Sequence, residues 1–184
     1  MPTILSHPAV PLAIGMGLGA RVIPPRLLIA GMVVSVIPDI DVVSFAFDVS
    51  YGSPYGHRGF THSPFFAAAV ALLGTVAART LHASAQTAFW FLFIAMASHG
   101  VLDAGTDGGL GIAFLWPWLD DRFFAPLQVI AVAPIGLSRF MSDRGLYVLL
   151  SELYWVWVPC ALLAGVLALA RRTFSRAHSG RHNV

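Results

Sequence analysis

Apolar residues in this chain fall into five runs separated by short polar breaks. The first covers residues 8–20 and stops at Arg21. The second covers 27–37, opened by Pro24-Pro25-Arg26 and closed by Pro38. The third, fourth and fifth cover 64–78, 88–102 and 147–170. A bilayer core about 30 Å thick requires roughly 20 helical residues. The fifth run meets that length alone, and the third and fourth meet it with their flanks. The first two hold only about 11–13 apolar residues, so they must tilt, pack against the others or re-enter. The pattern predicts an all-α, polytopic membrane bundle of about five apolar helices. Gly15, Gly17 and Gly19 contain a G-x-x-x-G spacing suited to close helix packing in lipid, although glycine is common in membrane helices for other reasons. Residues 105–145 form the one long connection. Trp116, Trp118, Phe123 and Phe124 stand there beside Asp120, Asp121 and Arg122, which suits the headgroup zone and a short amphipathic helix. Residues 1–170 read as a single membrane-embedded domain, and 171–184 as a basic, disordered tail.

Composition strengthens this reading. The 184 residues are 57% hydrophobic and 11% charged, against about 25% charged in soluble domains, with a mean hydropathy of +0.75. Lysine is absent and Glu152 is the single glutamate, so long solvated helices are excluded. The net charge of +2 comes from scattered arginines and the tail, an orientation signal and not a nucleic-acid patch. Cys160 has no intrachain disulfide partner, and residues 1–20 lack the positive start of a cleaved signal peptide.

The tail arginines assign the C-terminus to the cytoplasm by the positive-inside rule. Threading back through five spans puts Arg21, Arg26 and Arg79 inside and every aspartate outside, with Arg122, Arg139 and Arg144 as exceptions. His7, Asp39, Asp41, His57, Arg58, His62, His99 and Asp103 then gather at one membrane face, and Glu152 lies in the outer third of the last helix. That convergence survives inversion of the whole assignment. It predicts a metal site at that face.

Three motifs carry the chemistry. His99-x-x-x-Asp103 sets two side chains about 40° apart on one helix face, where both reach one ion, and ionisable groups at membrane depth are usually functional. Pro38-Asp39-Ile40-Asp41 reads as a helix end followed by an extended alternation that points both carboxylates to one side. Aspartate at a helix C-terminus opposes the macrodipole, so a metal or an arginine should compensate; plain helix termination at an interface is the alternative. In residues 56–64, Ser63-Pro64 reads as a helix cap and first residue, with His62 just outside the helix and His57-Arg58 in the glycine-flanked loop before it. A helix N-terminus plus Arg58 would suit an anionic phosphate oxygen. His7 alone is a weak signal. No H-E-x-x-H, Gly-x-Ser-x-Gly or P-loop is present, and a single cysteine excludes cysteine zinc sites.

An early histidine, Pro-Asp-x-Asp, His-Arg-x-x-x-His-Ser and His-x-x-x-Asp in an apolar chain resemble the YdjM-like family of predicted inner-membrane metal-dependent hydrolases. The resemblance covers residues 5–155. That family looks related to zinc-dependent phospholipase C and P1 nuclease, all-helical multi-zinc phosphodiesterases. The resemblance implies one zinc held by Asp39 or Asp41, His62, His99 and Asp103, and another recruiting His7 and Asp103. The second histidine pair of those soluble enzymes, His-x-x-x-Glu, is missing, and Glu152 is its only candidate remnant.

The combined expectation is a multi-pass protein of the cytoplasmic membrane that hydrolyses a lipid or lipid-linked phosphoester at the outer, periplasmic face. Candidate metal ligands are His7, Asp39, Asp41, His57, His62, His99 and Asp103. Zinc is the expected ion, another divalent metal being the alternative. Arg58 is assigned to the substrate anion, and Asp41 or Glu152 to a proton. The expected partners are the bilayer and a phosphate-containing substrate, not nucleic acid. The rival readings are a metal-ion transporter and a non-catalytic scaffold with a structural metal.

Overall fold

The computed structural model describes residues 1–134 and 140–179, with side chains described as far as Phe174. Arg139, Arg181 and His182 therefore lie outside the described residues, as do the side chains of Arg176 and His178. The helices are α1 (Ala9–Leu18), α2 (Pro25–Val34), α3 (Pro64–Val76), α4 (Ala85–Ala104), α5 (Asp143–Glu152) and α6 (Val158–Ser179). A 3-10 helix covers Pro38–Phe47, a shorter one Phe60–His62, and a π-helical turn Leu153–Trp157 joins α5 to α6. The expected all-α class is borne out, with two isolated β-bridges and no strand among the described residues.

Local chemistry sets several boundaries. Pro25 and Pro64 occupy first-turn positions, where a missing N–H is harmless. Ser63 caps α3 by accepting the Phe66 amide at 3.1 Å, as the Ser63-Pro64 pair predicts, and Ser84 caps α4 by accepting the Thr87 amide at 3.0 Å. Pro38 acts differently from expectation. It cannot continue an α-helix, but its fixed φ suits the first turn of a tighter one, and the chain goes on as a 3-10 helix. Asp39 and Asp41 are thus not in an extended alternation. At about 120° per residue, two positions apart diverge by about 120°, so the two carboxylates meet different neighbours.

Three stretches are long and apolar enough to cross a membrane: Pro25–Phe47, Ala85–Ala104 and Asp143–Phe174. α1 and α3 are shorter. With 13 residues, α3 is about 20 Å long, below the span its sequence run predicts. α3 packs along α4, and α1 lies against α6, α2 and α4. Leu72, Leu73 and Val76 of α3 and Leu162, Val166 and Leu169 of α6 point outward, as lipid-facing residues do. The glycines of α1 serve two partners and not one stripe. A Cβ on Gly15 would fall 2.6 Å from Leu28 of α2, and one on Gly17 would fall 2.6 Å from Leu167 of α6. α6 runs on to Ser179, so much of the segment expected to be a disordered tail is helical.

Residues 105–134 contain no α-helix, and residues 135–139 of the same connection, where the expected amphipathic helix could also fall, lie outside the described residues. Residues 105–134 fold back under the end of α4, tied by Ala125 N to Ala104 O at 2.8 Å and Ala113 N to Arg58 O at 3.3 Å. Trp118, Leu119 and Leu127 stay exposed on this segment. Arg122 donates to the carbonyls of His57, Ser53 and Tyr51, and Arg144 donates to Val132 O. Both arginines tie loops together.

Candidate metal centre

Asp39 arrives from the 3-10 helix, His62 from the turn before α3, and His99 and Asp103 from successive turns of α4. Each offers one ligand atom, and the four atoms lie within 4.8 Å of one another. The edges of the cluster are His62 Nε2 to His99 Nε2 at 3.1 Å, His62 Nε2 to Asp103 Oδ2 at 3.3 Å and His99 Nε2 to Asp39 Oδ1 at 3.3 Å. His99 Nε2 to Asp103 Oδ2 is 3.8 Å, and His62 Nε2 to Asp39 Oδ1 is 3.9 Å. Tetrahedral donors about 2.0–2.2 Å from zinc stand roughly 3.3–3.6 Å apart, so the cluster has the size of one coordination sphere.

The histidines are held with one nitrogen turned inward. His99 Nδ1 lies 2.7 Å from the carbonyl oxygen of Ser35, which only accepts, so Nδ1 carries the hydrogen and Nε2 presents a lone pair. Asp41 Oδ2, 3.2 Å from His62 Nδ1, plays the same part for His62. Both oxygens of Asp39, both oxygens of Asp103 and both ring nitrogens of His7 are buried without a hydrogen-bond partner. Each such atom costs about 1–3 kcal/mol, more when charged. One oxygen of Asp39 and one of Asp103 lie in the four-atom cluster with the nitrogens of His62 and His99, where a divalent cation would satisfy both, so the donor set fits a metal. Burial opposes charge on His62, but the neighbouring carboxylates of Asp103 and Asp41 outweigh it and raise its pKa to about 9.

His7 joins from the turn before α1. Its ring stacks on His99 with centroids 3.6 Å apart, and its Nε2 is 3.6 Å from Asp39 Oδ2. Burial, and then the proximity of His99, push its pKa down to about 3, which keeps the ring neutral with one lone pair. The open choice between Asp39 and Asp41 resolves here: Asp39 belongs to the four-donor cluster, and Asp41 faces away. Asp41 forms a second group with His57 and His62, bonding His57 Nδ1 at 2.5 Å and accepting from Thr61 Oγ1 at 2.6 Å. A neutral imidazole has one lone pair, so His62 cannot serve an ion in each group. Asp41 and His57 therefore stand beside the four-donor cluster as supports.

Two expected site residues are engaged by the chain itself. Arg58, at φ +64, is fully buried. It donates to Gly108 O, Leu110 O and Thr106 Oγ1, and its Nε faces Asp103 Oδ2 at 3.5 Å. Its fork grips the 106–110 loop and is not presented to a substrate anion. Glu152 accepts from Thr3 N, from Thr3 Oγ1 at 2.6 Å and from Ser6 Oγ at 2.6 Å. It anchors the N-terminal turn that carries His7. Sequence reasoning missed the carbonyl of Ser35, because backbone groups leave no signature. It also missed Thr3 and Ser6, which look like ordinary terminal polar residues.

No solved structure matches this chain. The chain is 53% identical over 173 residues to the inner membrane protein YbcI of Escherichia coli strain K12, covering 94% of this chain and 100% of that protein. The family match spans residues 1–177, nearly the whole described bundle together with its histidine–aspartate cluster, and the chain belongs to the YdjM inner membrane protein family.

Proposed function

We propose that this chain is a membrane-bound, metal-dependent hydrolase of a phosphoester, with zinc as its ion and a lipid or lipid-linked phosphate as its substrate. The observation that carries the reading is the convergence of Asp39, His62, His99 and Asp103, buried with unsatisfied carboxylate oxygens aimed at one point. The order of the motifs, which resembles a family of predicted hydrolases, supports the reaction class. A divalent cation bound there polarises a phosphoryl oxygen and acidifies water. The chain's own residues supply the rest. Ser35 and Asp41 fix the ligand tautomers, and the Asp41–His57 pair, at the more open side of the cluster, accepts and passes on a proton at His57. Arg58 keeps Asp103 oriented. The exposed aromatic side chains of the 105–134 segment support a lipid-linked substrate, because such residues favour the headgroup zone.

A structural ion is the second reading, favoured by the burial of His7, His99 and Asp103 and by four protein donors, which close a tetrahedral site. A transporter fits less well. Among the described residues, the half of the bundle away from the cluster has an apolar core of Ile23, Leu27, Ala71, Phe91 and Leu92, which counts against an ion pathway. The deciding experiment measures metal content and phosphate release on detergent-purified protein with a lipid phosphodiester and a lipid pyrophosphate. Stoichiometric metal with turnover supports the hydrolase. Stoichiometric metal with no cleavage of either substrate supports the structural ion.

A further inference from the structure

The metal cluster is not equally enclosed on all sides. His7, His99 and Asp103 are 0% exposed, whereas Asp39 is 7% and His57 6% exposed, and Asp41 is half-buried. The accessible edge therefore runs along the 3-10 helix Pro38–Phe47, with His57 bonded to it through Asp41. The outward side chains of that helix include Ile40, Val42, Val43, Phe45 and Phe47, all exposed and all apolar. Ile40 and Val42 flank Asp41 in the chain. Across the edge, the rings of Phe45 and Tyr51 stand 6.1 and 5.4 Å from that of His57. A contiguous apolar surface of this kind is rarely left in water, and it marks a place where something apolar is met.

Two observations identify lipid hydrocarbon as what covers it. The helix belongs to the apolar stretch Pro25–Phe47, which is long enough to cross a membrane. The α-helical part of that stretch, Pro25–Val34, is only about 15 Å long, half of a hydrocarbon core of about 30 Å. The chain after Val34 is therefore still in lipid. The exposed face is also continuous: Ile29 and Val33 of α2 lead on to Ile40, Val43 and Phe47. Arg26 and Asp48 are the exposed charges that bound it, and the two charged residues between them, Asp39 and Asp41, are turned to the cluster and to His57. The lipid-facing surface thus continues past the metal ligands.

We propose that the accessible edge of the metal centre opens sideways into the bilayer, so that whatever reaches the ion comes from the lipid phase and not from bulk water. The opening itself does not depend on any hydrolytic activity. One further step does rest on the hydrolase reading: the substrate is then a membrane-dissolved amphiphile whose phosphate meets the ion while its hydrocarbon chain stays in lipid. The test is site-directed spin labelling of the full chain, reconstituted in vesicles of phosphatidylglycerol and phosphatidylcholine. Cys160→Ser removes the native thiol, and labels are attached singly through Ile40→Cys, Val42→Cys, Val43→Cys or Phe47→Cys. Leu162→Cys on the exposed apolar face of α6 and Asp120→Cys on an exposed polar loop are the references. Collision with oxygen, which concentrates in hydrocarbon, is compared with collision with a water-soluble nickel chelate. The oxygen-to-nickel ratio at the four test positions should match that at Leu162→Cys and exceed that at Asp120→Cys severalfold. If labels beside Asp41 disturb the fold, Val43→Cys and Phe47→Cys carry the test. A ratio at the test positions equal to that at Asp120→Cys overturns the proposal and puts the edge in water. A failed phosphate-release assay removes only the statement about the substrate, because the collision ratio needs no turnover.

Discussion

Glu152 and Asp103 are buried at the same end of the bundle, 1% and 0% exposed, yet their surroundings differ in kind. The oxygens of Glu152 accept one amide and two hydroxyls, all from Thr3 and Ser6. Those of Asp103 have no hydrogen-bond partner and face His62 at 3.3 Å, Arg58 at 3.5 Å and His99 at 3.8 Å. Burial alone would nominate both as functional. What separates them is whether the protein itself meets their needs. A satisfied carboxylate holds structure together, whereas an unsatisfied set aimed at one point leaves a place for something the chain does not supply.

The sharpest way to break this contrast is to remove a member of each cluster and measure bound metal. His99→Ala should lose the ion altogether, since three remaining donors hold it poorly and the inward Nε2 is gone. Elemental analysis of the purified variant should read background. Full metal content there would mean that the cluster is not the site. Glu152→Ala should keep its metal but lose stability, because three buried donors are left without an acceptor at about 1–3 kcal/mol each, roughly 3 kcal/mol or more together. Thermal or denaturant unfolding in detergent measures it. Metal loss in Glu152→Ala equal to that in His99→Ala would show that the two clusters act as one.

How much of the contrast is legible in sequence depends on how local each contact is. His99 and Asp103 are one turn apart on an apolar helix, so their partnership is visible as a spacing. His62 is visible through the Ser63-Pro64 cap that follows it. Asp39 and Asp41 are visible as a pair, but their division of labour depends on Pro38 opening a 3-10 helix, and two-residue spacing alone suggests a strand. Arg58 reads as a clamp from its loop position. Its partners, Thr106, Gly108 and Leu110, lie 48 to 52 residues away and two are carbonyls, which no motif records. Glu152 is bound to residues 146 and 149 positions earlier. The count of membrane runs is legible for the same reason that the site is partly so: hydropathy is local, while the shortening of α3 depends on the turn after Val76.

A smaller effect sharpens the boundary between ligand and support. Asp41 bonds His62 and His57 but presents nothing to the four-donor cluster. Asp41→Asn keeps the shape and a hydrogen-bond acceptor but removes the charge that orients and enriches the imidazole. Metal affinity should fall by about 10–100-fold with stoichiometry unchanged at saturating metal. Competition against a calibrated chelator reads this directly. A drop to no binding would promote Asp41 to a ligand, and no change at all would leave the His62 tautomer set by Thr61, whose Oγ1 is 3.0 Å from Nδ1.

The smallest expected effect tests whether the satisfied cluster communicates with the unsatisfied one. Trp157, at the end of the π-helical turn after Glu152, donates its indole N–H to Ser6 Oγ at 3.1 Å, while that hydroxyl donates to Glu152. Ser6 directly precedes His7, which stacks on the ligand His99. Trp157→Phe removes one hydrogen bond and leaves the Ser6–Glu152 bond in place, so stability should fall by only about 0.5–1.5 kcal/mol. Metal affinity should not move, because the four donors of the cluster do not depend on the Ser6 hydroxyl. Asp41→Asn and Trp157→Phe would then separate cleanly, one altering affinity and the other stability. If Trp157→Phe instead weakens metal binding as Asp41→Asn does, the N-terminal turn is part of the ligand scaffold, and His7 supports the ion through its stacking on His99.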